Sequence, residues 1–394
     1  MLFDKYIEEV SECWRKYFTK ISALQAAGEL ESNKPGTMLY PNMILFTNCS
    51  GYYTCELFGV SEVYTGLTIK RSKSTSIYRY LSQFDDGVPD PVIQLNSNGR
   101  LSFFLLSHSE DRKLISERFP SINLHATFLH RANGHGSVIG FGDAFDFCKI
   151  DCCTLINVSG VLHRCKDILH LMISRSSINR SGIYKCYSDY FEEPAVKGVQ
   201  TVEGDELKFK VIAGQFQNIY LLKGLHETVI GEFFKLHPEV IYRAFNTDSF
   251  YYEPYLKWIE HDGTCEDEAI NPDLLVRRLD GFYDIFDLKT GLLERTNVTK
   301  GGRKRRRFID YVEEGVAQLA NYREYFSYEK NAALAKEKYG VEVRAPNLVL
   351  VVGNWENSQL DEVHQACRRY PDVKIIDYDT LCHMFLSPKF DSNK

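Results

Sequence analysis

The sequence predicts two parts: a β-rich α+β N-terminal domain introduced by an amphipathic helix, and an α/β C-terminal domain. Three observations lead there. An apolar stripe of helical spacing runs through roughly the first two dozen residues. Period-two alternation punctuated by turn residues follows as far as about residue 160. The C-terminal half then alternates helical and strand patterns around one hairpin, Asn271–Lys289. At 394 residues the chain exceeds a usual single domain, and we place the domains at residues 1–200 and 201–394.

The opening helix is expected over Leu2–Leu24, where Phe3, Ile7, Val10, Trp14, Tyr17, Ile21 and Leu24 form a heptad seam. Such a stripe must be buried, against its own domain or against another subunit. Gly28 and Asn33-Lys34-Pro35-Gly36 stop the helix. Strands are expected at Met43–Phe46, Tyr52–Phe58, Val63–Ile69, Val92–Leu95, Leu101–Leu106, Ala126–Leu129, Val138–Phe141 and Cys153–Val158, with Asn98-Gly99 as a hairpin turn. Val161–Ile173 has the spacing of a short helix and Glu206–Ile212 that of a strand. Cys152, Cys153, His163, Cys165 and His170 lack the paired spacing of a zinc site, and no metal is assigned to them.

Composition narrows the function classes. A formal net charge of -6 excludes a protein-wide cationic field, so any nucleic-acid contact must be local. Eleven cysteines without CxxC pairs, no signal-peptide layout and no bilayer-length apolar run predict a cytoplasmic protein with free thiols.

In the hairpin NPDLLVRRLDGFYDIFDLK, Leu274–Val276 and Phe282–Leu288 flank Leu279-Asp280-Gly281. Glycine last in a three-residue loop supplies the left-handed backbone of a bulged turn. With that turn Arg278 faces Phe282, Asp273 faces Asp287, and Lys289 projects beside Asp287. A two-residue turn would put one strand's side chains on the other face.

Two facing carboxylates repel unless a cation lies between them. Mg²⁺, or Mn²⁺ in its place, suits that role, taking few protein oxygens and leaving positions for water and phosphate. A neighbouring lysine can orient or deprotonate the attacking water, or stabilise charge in the transition state. Pro272-Asp273 with Asp287-Leu288-Lys289 thus matches the PD-(D/E)xK nuclease signature. Gln318 and Tyr322, four apart on a predicted helix Phe308–Tyr339, supply the companion motif on one helix face. A helix from Leu225 to Glu239 brings Glu232 and Glu239 as further carboxylates. Leu348–Val352 reads as a buried strand, Asp361–Tyr370 as a helix, Val373–Ile376 as a strand and Thr380–Phe385 as a closing helical turn.

Phe233-Phe234, His237-Pro238, Pro272-Asp273, Asp284–Lys289 and Gln318 with Tyr322 together resemble the catalytic domain of the Shedu anti-phage defence nucleases, over roughly Leu225–Val352. Asp287 departs from the glutamate typical of that family, which bears on metal distance and preferred ion. The resemblance implies a PD-(D/E)xK restriction-endonuclease-like core, a Mg²⁺-dependent DNA endonuclease acting on phage double-stranded DNA, and a homotetramer. Asp273, Asp287, Lys289 and Gln318 would be its catalytic residues and the two aspartates its metal ligands. Lys300, Arg303, Lys304, Arg305, Arg306 and Arg307 form the densest basic cluster and are expected to contact DNA phosphates. The alternative is a non-enzymatic nucleic-acid-binding or sensor protein that retains the nuclease scaffold.

Overall fold

A computed structural model describes residues 1–30, 36–81, 91–94, 100–101, 127–132, 138–140, 146–159, 162–263, 267–302 and 305–387. They form two compact units, Met1–Asn218 and Ile219–Lys394. The fold is mixed α/β with several sheets.

The first unit opens with helix α1, Phe3–Ala26. Its seam residues Ile7, Val10, Trp14, Tyr17 and Ile21 are buried, and Phe3 and Leu24 pack against the same core. Each such burial contributes about 1.5–3 kcal/mol, which makes the helix an integral layer of its own unit. The stripe is therefore not available to another subunit. Strands β1 (Thr37–Asn48), β2 (Tyr52–Ser61) and β3 (Thr68–Lys73) follow, then the short helix α2 (Ile77–Tyr80). Strands β4 (Pro91–Gln94), β5 (Arg100–Leu101), β6 (Thr127–Ala132) and β7 (Val138–Gly140) lead to the long antiparallel pair β8 (Phe147–Ser159) and β9 (Leu162–Arg175). Helix α3 (Arg180–Phe191), strand β10 (Gln200–Val202) and helix α4 (Glu206–Tyr220) complete it. The main sheet runs β10-β1-β2-β9-β8-β5, with β3 beside β1 and β6 beside β8. Helices α1 and α3 share one core with it, and Glu9 on α1, 1% exposed, is held by Lys5 and Arg180, each at 3.0 Å.

Three expectations change here. Where a helix was expected over Val161–Ile173, the described residues form strand β9: Leu162, Cys165, Leu169 and Met172 have helical spacing, but pairing with β2 and β8 decides. Its buried charges are tied into the sheet, with Lys166 2.6 Å from Glu56. Cys165 and His170 thus lie on that strand, each 0% exposed, and His170 Nδ1 lies 2.8 Å from Asp151 Oδ1. Glu206–Ile212 belongs to a helix, whose buried residues Ile212, Ala213, Phe216 and Tyr220 repeat at helical spacing. The strand expected from Val63 starts at Thr68. The Asn98-Gly99 turn and most of Leu101–Leu106 lie outside the described residues.

In the second unit, helices α5 (Glu227–Leu236) and α6 (Glu239–Phe245) precede strands β11 (Phe250–Tyr252), β12 (Leu256–Lys257) and β13 (Ala269–Ile270). The hairpin strands β14 (Leu274–Arg277) and β15 (Tyr283–Leu288) come next, then the small hairpin β16 (Thr299–Lys300) and β17 (Arg307–Phe308). The long helix expected over Phe308–Tyr339 is two, α7 (Asp310–Tyr325) and α8 (Glu329–Tyr339). Strand β18 (Leu348–Val351), helix α9 (Leu360–Cys367), strand β19 (Val373–Ile376) and helix α10 (Tyr378–Leu386) close the unit. The five-stranded sheet β11-β14-β15-β18-β19 is antiparallel up to β15 and parallel beyond it. Leu275, Tyr283, Ile285, Leu348 and Leu350 on one face share a core with Val312, Val316 and Leu319 of α7. Among the described residues no helix is long and apolar enough to cross a membrane.

Candidate active site

The hairpin has the expected turn. Arg278 N–H donates to Phe282 O at 2.7 Å, Gly281 N–H to Arg278 O at 3.0 Å, and Gly281 sits at φ +88°. Leu274 pairs with Phe286 and Val276 with Asp284, so one step further out Asp273 lies opposite Asp287. Alanine at 281 would have to adopt a left-handed backbone, costing about 1–2 kcal/mol. Gly281→Ala is expected to lower the melting temperature by several degrees and Gly281→Asn by less, measured by calorimetry; equal melting of all three proteins would contradict the turn assignment.

Asp287 and Lys289 continue the face that carries Tyr283 and Ile285, so the apolar stripe under α7 ends in charge. Asp273 Oδ2 accepts a 2.6 Å hydrogen bond from Leu288 N–H, but burial dominates and pushes its carboxyl up to about 6. Asp287 is 2% exposed, and burial, with Asp273 adding repulsion, pushes it up to about 7. Lys289, 5% exposed, lies 2.9 Å from Asp287 Oδ2, donates to Gln318 Oε1 at 2.7 Å, and is 3.5 Å from Glu227 Oε2. Burial works against its charge, yet Asp287, Glu227 and Asp273 outweigh burial and hold the ammonium above the usual lysine range. The backbone is held as firmly: Lys289 N–H donates to Val351 O at 2.9 Å, and Tyr378 OH donates to Lys289 O.

Helix α7 presents Tyr311, Gly315, Gln318 and Tyr322 on one stripe. A Cβ on Gly315 would lie 2.8 Å from Leu350 Cδ1, 3.0 Å from Lys289 Cε and 3.1 Å from Asp287 Oδ2, so glycine lets the helix come down onto the two site residues. Tyr311 OH donates to Glu227 Oε1.

The four residues expected to be catalytic, Asp273, Asp287, Lys289 and Gln318, are thus brought together. Glu232 does not join them, and Glu239 opens a separate helix. The predicted Leu225–Glu239 helix breaks at His237-Pro238, Glu232 pairs with Lys235 at the surface, and Glu227 meets Lys289 instead. Sequence reasoning also passed over Tyr311 and Gly315; a glycine inside a helix, costing about 1 kcal/mol against alanine, was the available signal.

The basic cluster is only partly available. Arg303 and Lys304 lie outside the described residues. Arg306 turns inward to Glu362 at 3.0 Å and Thr299 Oγ1 at 3.2 Å, and Lys300 pairs with Asp310. Arg306 is thus held in a largely buried pair, whereas the pair of Lys300 with the exposed Asp310 is of the weak surface kind. Arg305 and Arg307 are exposed on the same hairpin.

Among the described residues no group of three or more His, Cys, Asp or Glu forms a metal cage. The donor set nevertheless fits Mg²⁺, which needs one or two carboxylates and takes its remaining ligands from water and phosphate. Asp287 Oδ2 is buried and, apart from the ion pair with Lys289, makes no hydrogen bond of good geometry among the described residues. Both aspartates are raised, chiefly by burial, with repulsion from Asp273 adding to the shift of Asp287. No protein-family model matches the chain, and no curated protein matches it.

Proposed function

We propose that the chain is a divalent-metal-dependent DNA endonuclease with a PD-(D/E)xK core, acting in anti-phage defence as the resemblance to Shedu nucleases implies. The observation that carries this reading is the convergence of Asp273, Asp287, Lys289 and Gln318 at one end of the hairpin, three elements contributing to one small volume. Asp273 and Asp287 would hold the cation, which when bound supplies counter-charge to the phosphodiester and acidifies water. Lys289 Nζ, set between Asp287 Oδ2 and Gln318 Oε1, would orient the attacking water or donate a hydrogen bond to developing negative charge. Gln318 keeps that ammonium aimed, as its amide oxygen accepts from Nζ. Assembly as a homotetramer and control of cutting by the N-terminal unit are further parts of this proposal.

The test is cleavage of supercoiled and linear plasmid by the full chain with Mg²⁺, Mn²⁺ or chelator, beside Lys289→Ala. Metal-dependent cutting lost in the variant is expected. Bound DNA with no cutting, and no Mg²⁺ binding by calorimetry, would favour a binding or sensor protein instead.

Arg305 and Arg307 are the described cations of the cluster that face solvent. The double substitution Arg305→Ala/Arg307→Ala is expected to weaken binding to all DNA sequences alike. It should reduce the slope of log affinity against log salt by about 2, roughly 0.9 for each phosphate that is no longer neutralised. Arg306→Ala should leave the slope unchanged. Fluorescence anisotropy across a salt series measures both, and an unchanged slope in the double variant would remove the hairpin from the interface.

A further inference from the structure

We infer that Tyr311 is a positioning residue for Lys289: its hydroxyl ties the Glu227 carboxylate to the backbone just beyond the lysine and so holds the ammonium in place. The bonds form a closed ring. Tyr311 OH donates to Glu227 Oε1 and accepts from Thr290 N–H at 3.1 Å, with Thr290 Oγ1 3.3 Å away. Glu227 Oε2 in turn lies 3.5 Å from Lys289 Nζ, and Lys289 is the residue before Thr290. A phenol has one proton to give, which the short bond to Glu227 takes, and the Thr290 N–H occupies one of its two lone pairs.

Without the phenol, little would hold Glu227 there. Its side chain is 37% exposed and stands in the first turn of α5, free to turn toward water. The ammonium would keep Asp287 and Gln318 on one side and lose its third acceptor on the other. A four-carbon stem with three rotatable donors points reliably only when its acceptors surround it. The position of Tyr311 adds a second consequence. It lies in the first turn of α7, directly after the hairpin that carries Arg305 and Arg307. One side chain therefore joins the element proposed to meet the phosphate backbone to the lysine proposed to act on it.

The catalytic part of this inference rests on the proposed nuclease reading, whereas the positioning part does not, and the experiment separates them. Full-length protein carrying ¹⁵N-lysine is examined by NMR for ammonium signals with slowed proton exchange, the Lys289 signal being the one absent in Lys289→Met. In Tyr311→Phe that signal is expected to exchange severalfold faster while the melting temperature stays within a degree or two of the parent. In plasmid cleavage the same variant should lose kcat by on the order of 10- to 100-fold, the usual effect of removing a supporting hydrogen bond, with KM for DNA unchanged. A Lys289 signal unaltered in Tyr311→Phe, or no slowed Lys289 signal in the parent protein, overturns the inference whatever the cleavage result. A signal altered in the variant while the parent protein cuts no DNA supports the positioning role and overturns the nuclease reading.

Discussion

Replacing Asp287 by asparagine is expected to abolish cleavage and at the same time to raise the melting temperature of the metal-free protein above pH 7. The first effect follows from removing one of the two carboxylates proposed to hold the cation. The second follows from the sign of its pKa shift. In the fold the carboxyl is pushed up to about 7, chiefly by burial and then by Asp273, while in the unfolded chain it ionises near 4. Between those values the folded protein binds more protons than the unfolded chain, so stability falls as pH rises through the interval. Below about pH 4 the group costs nothing, and above about pH 7 the full cost is present. Asp273, raised to about 6, contributes in the same direction.

Asparagine resembles the protonated acid in shape and carries no charge, so the variant avoids that cost. Lys289 keeps Gln318 and Glu227 as acceptors, which limits the loss from breaking its pair with Asp287. The net gain is on the order of 2 kcal/mol at pH 8: the shift, worth roughly 1.4 kcal/mol per pKa unit, already counts the attraction of Lys289, and the poorer fit of the amide offsets part of it. It should shrink steadily toward pH 5. Calorimetric scans of both proteins at pH 5, 6.5 and 8, with and without Mg²⁺, read the effect. Added Mg²⁺ should raise the melting temperature of the parent and not of the variant. A variant that melts below its parent at pH 8 would mean that Asp287 is a structural ion-pair partner, with no site strained by charge.

How much of this could be read from the sequence differs from residue to residue, for physical reasons. The facing of Asp273 and Asp287 was legible because a strand has a period of two and a glycine at the third loop position fixes the turn; nothing distant enters that argument. Gln318 was legible through its spacing to Tyr322 on one helix. Glu227 was not, because which carboxylate of a helix meets a lysine on a strand depends on how the helix is rotated against the sheet. Here the helix also ends at Leu236, and Glu239 opens the next one. The pairing of Arg306 with Glu362 and of Lys300 with Asp310 was equally hidden: a basic run shows its charge in sequence, but not the carboxylates that fold against it. Leu162–Arg175 shows a different limit. Leu162, Cys165, Leu169 and Met172 carry a helical spacing, and the strand is set by the ladders on either side.

Gly315→Ala is expected to reduce cleavage by about 100-fold or more while changing stability little, and the contrast comes from two opposed terms at one position. Alanine in a helix interior is favoured over glycine by about 1 kcal/mol. Against this, the new methyl would stand 2.8 Å from Leu350 Cδ1, 3.0 Å from Lys289 Cε and 3.1 Å from Asp287 Oδ2, closer than such groups pack. Relieving overpacking of this kind costs about 1–3 kcal/mol. Leu350 and Lys289 can yield by turning their side chains, whereas Asp287 sits on the central strand, paired with both neighbours. The relief therefore comes from α7 lifting or from Lys289 swinging aside. Either movement stretches the 2.7 Å bond between Lys289 Nζ and Gln318 Oε1, which joins that helix to that strand. A displacement near 1 Å at a reacting group is enough for a loss of about 100-fold, although its effect on folding is slight. Plasmid cleavage and calorimetry on Gly315→Ala, with Ala317→Gly on the same helix as a control for propensity alone, measure the two quantities separately. Full activity in Gly315→Ala would show that α7 does not need to approach Asp287 this closely, and the alignment of Lys289 by Gln318 would then have to be abandoned.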